Sequence, residues 1–324
     1  MNKSNEPISI VTGANDQYAM PLSVMIYSIF RNLKTGYSIR FYIIDAGIKK
    51  ENKIRIKNVL KKNRFGKNHK ILFCSNDLWL LKSLPINGRH YAIFSPFLIS
   101  RILPPECEKV LFVDSDLIIE SDISLLWEQD MSNLAIKAVR DFVVQRLSDN
   151  DGVRGYRKLG GSEDTPYFNS GVMLINMMLW RKKKIVRRAI NYIYKNQDSI
   201  RHYDQEALNA VLIHQWEELD PRWNVQSTIF WPHLLPESPF SNQIMEKYNE
   251  LINEPFIIHY LAVSKPWSYK CLHPLAFHFL FYLKKSGWFT AVEWKIWWYK
   301  YYYRRCKWLI GDFKDSLFMV NIEE

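Results

Sequence analysis

The sequence contains no apolar run approaching the ~18–20 residues that a bilayer-spanning helix requires, which argues against a membrane-spanning chain. Cys-x-x-Cys spacing is missing as well. Cys74, Cys107, Cys271 and Cys306 are scattered, which argues against a structural zinc site and reads as reduced thiols in a cytosolic protein. The stretch from Met1 to Pro7 is polar and has no apolar signal core, so export is not expected. A three-glycine dinucleotide loop is absent; Gly13-Ala14-Asn15 stands where it would be. There is no internal repeat and no low-complexity linker. What is present suits a globular enzyme-sized chain. The 324 residues are 48% hydrophobic and 24% charged, enough for one large domain or two unequal ones. A formal charge of +11 implies acidic partners: nucleic acid, anionic lipid or a phosphorylated substrate.

The chain opens as alternating strands and helices. Ile8 to Thr12 reads as a strand, followed by the polar turn Gly13 to Tyr18. Leu22, Met25, Ile26, Ile29 and Leu33 then repeat at helical spacing after Pro21. A second strand, Ile39 to Ile44, a basic helix over 49–62 with Ile54 and Leu60 inward, and a third strand, Lys70 to Cys74, continue the pattern. This order predicts a doubly wound, mainly parallel α/β sheet. Further on, Asp122 to Trp127 suggests a short capped helix. The segment 148–166, rich in Asp, Gly, Arg and Ser, suggests a lid. One helix is predicted from Met177 to about Asn196.

The most informative stretch is Lys109-Val110-Leu111-Phe112-Val113-Asp114-Ser115-Asp116. An apolar run reads as a strand buried on both faces, and ligands sit beyond the carboxyl ends of such strands. Asp-x-Asp there offers hard oxygen ligands to a divalent cation that keeps positions open for phosphate oxygens. The plainer reading is a turn cap and a solvated acid.

Later segments change the weighting: Phe168-Asn169-Ser170-Gly171-Val172, Tyr203-Asp204-Gln205-Glu206, and His259-Tyr260 with Lys265-Pro266-Trp267. In this order, with the aspartate pair and the N-terminal turn, they resemble the retaining glycosyltransferases of family 8 over roughly residues 8–267. The resemblance implies a GT-A fold, a UDP-sugar donor and Mn²⁺, with Mg²⁺ as the alternative ion. It implies that Asp114, Asp116 and His259 hold the metal and that Lys265 contacts the diphosphate. Ala14, Asn15, Asp16, Gln17 and Tyr18 match the nucleotide-binding turn, with Ser115 between the paired acids. Arg101 matches an arginine that contacts donor phosphate or sugar, although Ser100 replaces the usual aromatic before it. Asn169, Asp204 and Gln205 match residues around the donor sugar, and Glu206 or Asp204 would be the nucleophile of a double displacement. Asp141 matches an acid facing the acceptor. Ala262 departs from the family's glycine, which puts donor affinity in question. Plainer roles stay open: Asp204 as a helix cap, Asp141 as a strand-end acid, His259 as a backbone-bonded core histidine.

The division expected is a catalytic domain over 1–267 and a basic, aromatic helical extension over 268–324. On a helical wheel Trp294, Trp297, Trp298, Tyr301 and Trp308 share a face flanked by Lys300, Arg304 and Lys307. That face suits an anionic membrane surface, contacted through 288–310. The alternative is that these aromatics pack on the catalytic domain. The combined expectation is a cytoplasmic hexosyltransferase, peripheral on the inner face of the membrane. It would use a UDP-hexose and a glycan or lipid-linked saccharide acceptor, with no nucleic-acid partner. The rivals are a metal-dependent phosphodiesterase or nuclease, and a non-catalytic, membrane-associated sugar-nucleotide binder.

Overall fold

The computed structural model describes residues 6–320 apart from 35, 64, 66, 67, 86–89, 132 and 262–264, with side chains described to 310. The first half runs β1 (Ile8–Ala14), α1 (Ala19–Asn32), β2 (Ile39–Asp45), α2 (Lys50–Lys62), β3 (Lys70–Cys74), α3 (Leu78–Lys82), α4 (Ile99–Ile102), β4 (Lys109–Val113), β5 (Leu117–Ile119), α5 (Ser124–Trp127) and β6 (Ile136–Arg140). It continues with β7 (Phe168–Asn176), α6 (Met177–Lys182), α7 (Ile185–Lys195), α8 (Tyr203–Val211), β8 (Trp216–Glu218), β9 (Val225–Gln226), α9 (Pro239–Glu246), α10 (Tyr248–Asn253), β10 (Ile257–His259), α11 (Ala276–Ser286) and α12 (Ala291–Val320). A 3-10 helix, Tyr91–Leu98, leads into α4.

Among the described residues a seven-stranded sheet has the order β3-β2-β1-β4-β7-β6-β8, and β5-β10-β9 form a second, small sheet. β1 pairs in parallel with β2 and β4, while β7 runs antiparallel between β4 and β6. The chain leaves β1 in one direction and returns to β4 on its other side. The carboxyl ends of β1 and β4 therefore flank a switch point, where open α/β sheets bind ligands. Alternation places Leu111 and Val113 in one buried layer and Val110 and Phe112 in the other. Gly13 is needed here for a close approach: a Cβ would stand 1.8 Å from the Ser95 hydroxyl of the 3-10 helix.

Two local expectations are corrected. In α2 the buried residues are Ile56 and Val59, whereas Ile54 is 52% exposed. The face turned to α1 follows i, i+3, i+4 from Ile56, and Ile54 lies on the far side. The single helix expected over 177–196 is two, because Lys184 takes a left-handed conformation (φ +52°) between α6 and α7. The segment 148–166 is fastened at its base: Leu147 donates to Thr165, and Val153 to Leu147, both at 2.9 Å. The Asp122 cap acts on Ser124, whose N–H it accepts at 3.0 Å.

The C-terminal region is built into the body rather than appended at 267. α11 packs along α1, and Phe279, Tyr282, Leu283 and Trp288 lie in the same core as β1 and β4. The Tyr282 hydroxyl accepts from Asn32 and donates to Glu120, each at 2.8 Å. Arg55 of α2 reaches Glu293 at 2.7 Å and ties down the start of α12. The tryptophan face of α12 turns inward. Trp294 and Trp297 pack on the core, and buried Tyr301 donates to the Pro266 carbonyl. The packing alternative thus holds for this face, and the outward face is a different stripe: Val292, Ile296, Tyr299, Tyr303 and Ile310.

Candidate metal and donor site

Strand pairing assembles the metal trio. β4 ends at Val113, the chain turns through Asp114-Ser115-Asp116, and β5 departs into the small sheet. There Leu117 pairs with His259 of β10, which sets the imidazole beside Asp116. On the other side Val113 pairs with Val172 of β7, and Asp114 N–H donates to Gly171 O at 2.9 Å. One ligand atom from each of Asp114, Asp116 and His259 lies within 4.8 Å of the other two. His259 Nε2 is 3.7 Å from Asp114 Oδ2 and 3.5 Å from Asp116 Oδ1. A Cβ at Gly171 would fall 2.3 Å from His259 Cε1 and 2.9 Å from Asp114 Oδ2, so glycine leaves the space the trio needs.

The tautomer of His259 is fixed by a chain of amides. Gly171 N–H donates to Asn169 Oδ1 at 3.0 Å, so that atom is an acceptor. Asn224 Nδ2 donates to the same oxygen at 2.9 Å. Asn224 Oδ1 is thereby left facing His259 Nδ1 at 2.9 Å. The ring must carry its proton on Nδ1, which frees the Nε2 lone pair. Nε2 is buried with no hydrogen-bond partner. A buried, unpaired imidazole nitrogen between two carboxylates is costly unless a cation completes it, so the residues present fit a divalent ion.

Lys265 joins the trio from the segment after β10. Its Nζ lies 2.5 Å from Asp116 Oδ2 and 2.5 Å from the Tyr260 carbonyl oxygen. Burial works against the charge of Asp116, but Lys265 outweighs it and holds that carboxyl well below its usual range. Burial, then the charge of Asp116, pushes Asp114 upward. Beside the trio a cavity of ≈ 370 Å³ is lined by Gly13, Ala14, Asn15 and Tyr18, by His90, Ala92 and Ile93, and by Asp114 to Asp116. Tyr18 is braced edge-on by Trp267, with ring centroids 5.8 Å apart. The wall formed by His90 to Ile93 carried no motif in the sequence.

Other expected site residues take different places. Asn15 Oδ1 accepts Tyr18 N–H at 3.2 Å and shapes the turn. Asp16 faces away from the cavity and accepts from Lys49 N and Asn52 Nδ2, fastening α2. Gln17 is exposed and is not part of the cavity wall. Arg101 pairs with Asp77 at 2.9 Å and borders a separate cavity with Trp180 and Lys184. Asp141 is a hub: Oδ1 accepts Val143 and Val144 N–H, and Oδ2 accepts Asn169 and Gln205 amides. That places it under the site rather than facing an acceptor. Asn169 is buried and engaged with Gly171, Asn224 and Asp141. Tyr203, at φ +42°, turns the chain into α8 so that Asp204 and Gln205 face β7. Gln205 Oε1 accepts Ser170 N–H at 3.0 Å, and Asp204 reaches the Ser170 hydroxyl at 3.4 Å. Burial, reinforced by Asp114, pushes the Asp204 carboxyl well above its usual range. Glu206 points the other way, buried against the Tyr192 hydroxyl at 2.8 Å and Arg201 N–H at 2.9 Å. It is not available as a swinging nucleophile. Ala262 lies outside the described residues.

The family model for glycosyl transferase family 8 matches residues 9–271. The chain belongs to this family. It is 31% identical over 294 residues to general stress protein A of Bacillus subtilis, covering 89% of this chain and 97% of that one. It is 24% identical over 299 residues to a lipopolysaccharide 1,2-glucosyltransferase of Escherichia coli, covering 88% and 80% of the two chains. Among solved structures, an active-site mutant of LgtC superposes with a TM-score of 0.72 at 25% identity, over 89% of this chain and 99% of that one. LgtC is also solved as a galactosyltransferase in complex with donor and acceptor sugar analogues, with a TM-score of 0.71 at 24% identity, over 90% and 100% of the chains. The family 8 fold here is thus GT-A, with a mainly parallel sheet flanked by helices. The chain is a glycosyltransferase with a candidate Asp-Asp-His metal site at the switch point.

Proposed function

We propose that this family 8 protein is a retaining hexosyltransferase that moves glucose or galactose from a UDP-sugar to a saccharide or glycolipid hydroxyl, with Mn²⁺ as its metal. One observation carries the reading: the trio and Lys265 stand beside a cavity sized for a nucleotide, at the switch point, with Asp114 and Asp116 in its lining. An imidazole among carboxylates favours Mn²⁺ over Mg²⁺. Held by Asp114, Asp116 and His259, the ion would supply Lewis-acid neutralisation of the diphosphate leaving group. Lys265 has one N–H left after Asp116 and Tyr260, and offers it to a phosphate oxygen. Tyr18 and Ile93 both line the cavity and offer apolar surface to a base. Gln205 accepts the Ser170 N–H of β7, and Asp141 holds the Asn169 and Gln205 side-chain amides beneath the sugar position. Glu206 is tied to α7, and both ends of the Gln205 amide are engaged. Asp204 accepts from the Ser170 hydroxyl at 3.4 Å, and burial disfavours its carboxylate form, so same-face attack is preferred over double displacement. The acceptor oxygen bonds to the anomeric carbon as the carbon–phosphate oxygen bond breaks, and the departing phosphate oxygen takes the acceptor's proton.

A two-metal phosphodiesterase would need further carboxylates at the site, and among the described residues the trio stands as a single group. A panel of UDP-sugars with Mn²⁺, scored by UDP release, tests the transferase reading. One donor is expected to turn over, and Asp116→Ala is expected to abolish it. No release from any UDP-sugar would contradict the reading.

We further infer that the outward stripe of α12 rests on an anionic membrane surface at the cytoplasmic face. Val292, Ile296, Tyr299, Tyr303 and Ile310 recur at spacings of four, three, four and seven, and exposed Lys295, Lys300 and Lys307 flank them. No helix among the described residues is long and apolar enough to cross a membrane. Apolar rings with flanking cations suit the headgroup layer.

A further inference from the structure

Lys265 is bound to the same two structural elements that present the metal ligands. Its ammonium holds Asp116 Oδ2 at 2.5 Å, leaving Oδ1 to face His259 Nε2 at 3.5 Å. A second N–H holds the Tyr260 carbonyl oxygen at 2.5 Å, one residue after the ligand His259. Tyr260 N–H in turn donates to Asp116 O at 3.2 Å. The Lys265 side chain is only 16% exposed and that of Asp116 12%, so little water screens the pair. Tyr18 stands on the cavity side, and Asp114 is the other charge that bears on the ammonium.

A cation on Asp116 therefore shares its carboxylate with a fixed ammonium. The local charge is −2 from the two aspartates and +1 from Lys265. A divalent ion would leave a net +1 in a poorly screened place, until an anion joins it. Building on the reading of Asp114, Asp116 and His259 as metal ligands, we propose that Lys265 is a resident counter-ion that keeps metal affinity low in the absence of nucleotide. The donor's diphosphate then takes over its charge, so that metal and nucleoside diphosphate bind cooperatively. Lys265 acts on the metal through Asp116 and is in that respect a positioning residue. By linkage the coupling is reciprocal: the metal strengthens diphosphate binding by the same factor.

The sign of one effect decides between this role and simple support of Asp116. A group that only orients a ligating carboxylate would, when removed, weaken metal binding. A competing charge would, when removed, strengthen it. The experiment is Mn²⁺ titration of the full chain, followed by the paramagnetic resonance of the free ion, with and without UDP. Without UDP, Lys265→Met is expected to bind Mn²⁺ about tenfold more tightly than the unaltered protein, from the loss of one nearby like charge. Lys265→Arg, which keeps the charge, is expected to stay near the unaltered value. UDP is expected to strengthen Mn²⁺ binding more in the unaltered protein than in Lys265→Met. Unchanged or weaker Mn²⁺ binding by Lys265→Met overturns the proposal while leaving the ligand assignment standing. Failure of the unaltered protein to bind Mn²⁺ even with UDP overturns both. Should Lys265→Met lose its fold by circular dichroism, Lys265→Gln, which retains a donor for Tyr260, carries the same expectation. On the unaltered protein alone, UDP must raise Mn²⁺ affinity about tenfold or more; independent binding of the two overturns the proposal.

Discussion

Asn224 Oδ1 faces His259 Nδ1 at 2.9 Å, and this contact decides which imidazole nitrogen is free to ligate. Replacing Asn224 with Leu keeps the volume and removes the acceptor. The ring is then free to rotate or to move its proton to Nε2. Partners of this kind typically contribute 10–100-fold to metal affinity, so Mn²⁺ binding should weaken on the order of tenfold or more. Mn²⁺ titration checks this, and unchanged affinity would remove Asn224 from the site.

Gly171→Ala should act from the other side of the same ring. The added methyl would stand 2.3 Å from His259 Cε1 and 2.9 Å from Asp114 Oδ2. Both β7 and β10 are pinned by strand pairing, so the imidazole has to move. The expected loss is about 1–3 kcal/mol of stability together with most Mn²⁺-dependent UDP release. A variant that melts and turns over like the unaltered protein would show the site to be looser than the strand pairing implies.

The aspartate strand could be read from sequence because buried strands announce themselves as apolar runs, and Asp114-Ser115-Asp116 ends one. His259 could be placed by motif order. Asn224 could not, since it follows Pro221-Arg222-Trp223 in a turn with no periodicity, and its role depends on Asn169 and His259 across the fold. Arg101 matched the family's donor-contacting arginine, with Ser100 in place of the usual aromatic before it, yet the helix geometry aims it at Asp77. Gln205 and Glu206 are sequence neighbours, but a helix sends adjacent side chains about 100° apart. One braces β7 while the other is buried against α7. For α12 the sequence shows two apolar faces, and periodicity alone does not tell which one the protein body covers.

That ambiguity gives a paired test. Trp297→Ala and Tyr301→Ala remove rings packed on the body, 5.0 Å apart between centroids, and should each lower stability by about 1–3 kcal/mol. Tyr299→Ser and Tyr303→Ser, 70% and 59% exposed, should change stability by no more than about 0.5 kcal/mol. The exposed pair should reduce sedimentation with anionic vesicles and leave donor hydrolysis intact. Loss of vesicle binding from the inner pair alone, with stability unchanged, would reverse the assignment of faces.

His273 provides a pH test of the packing behind the site. Burial, with His278 and Lys265 adding to it, pushes the imidazole from 6.5 down to about 3. Phe230, Trp231 and Tyr260 surround it edge-on. Between those two pH values the unfolded chain binds a proton that the folded one does not. The stability contribution is thus full above pH 6.5 and falls as pH drops toward 3. The slope from this one group reaches about 1.4 kcal/mol per pH unit. Chemical unfolding at pH 7 and pH 5 should show the decline, and His273→Phe should flatten it. Equal slopes in the two proteins would contradict the account.

The central claim is that two acids and one imidazole, drawn together from the turn after β4 and from β10, grip a single cation. Calorimetric titration of Mn²⁺ in the presence of UDP measures it most directly. The account predicts one ion per chain for the unaltered protein and loss of that ion in both Asp116→Asn and His259→Ala with the fold intact. One ion still bound by either folded variant at undiminished affinity would contradict it.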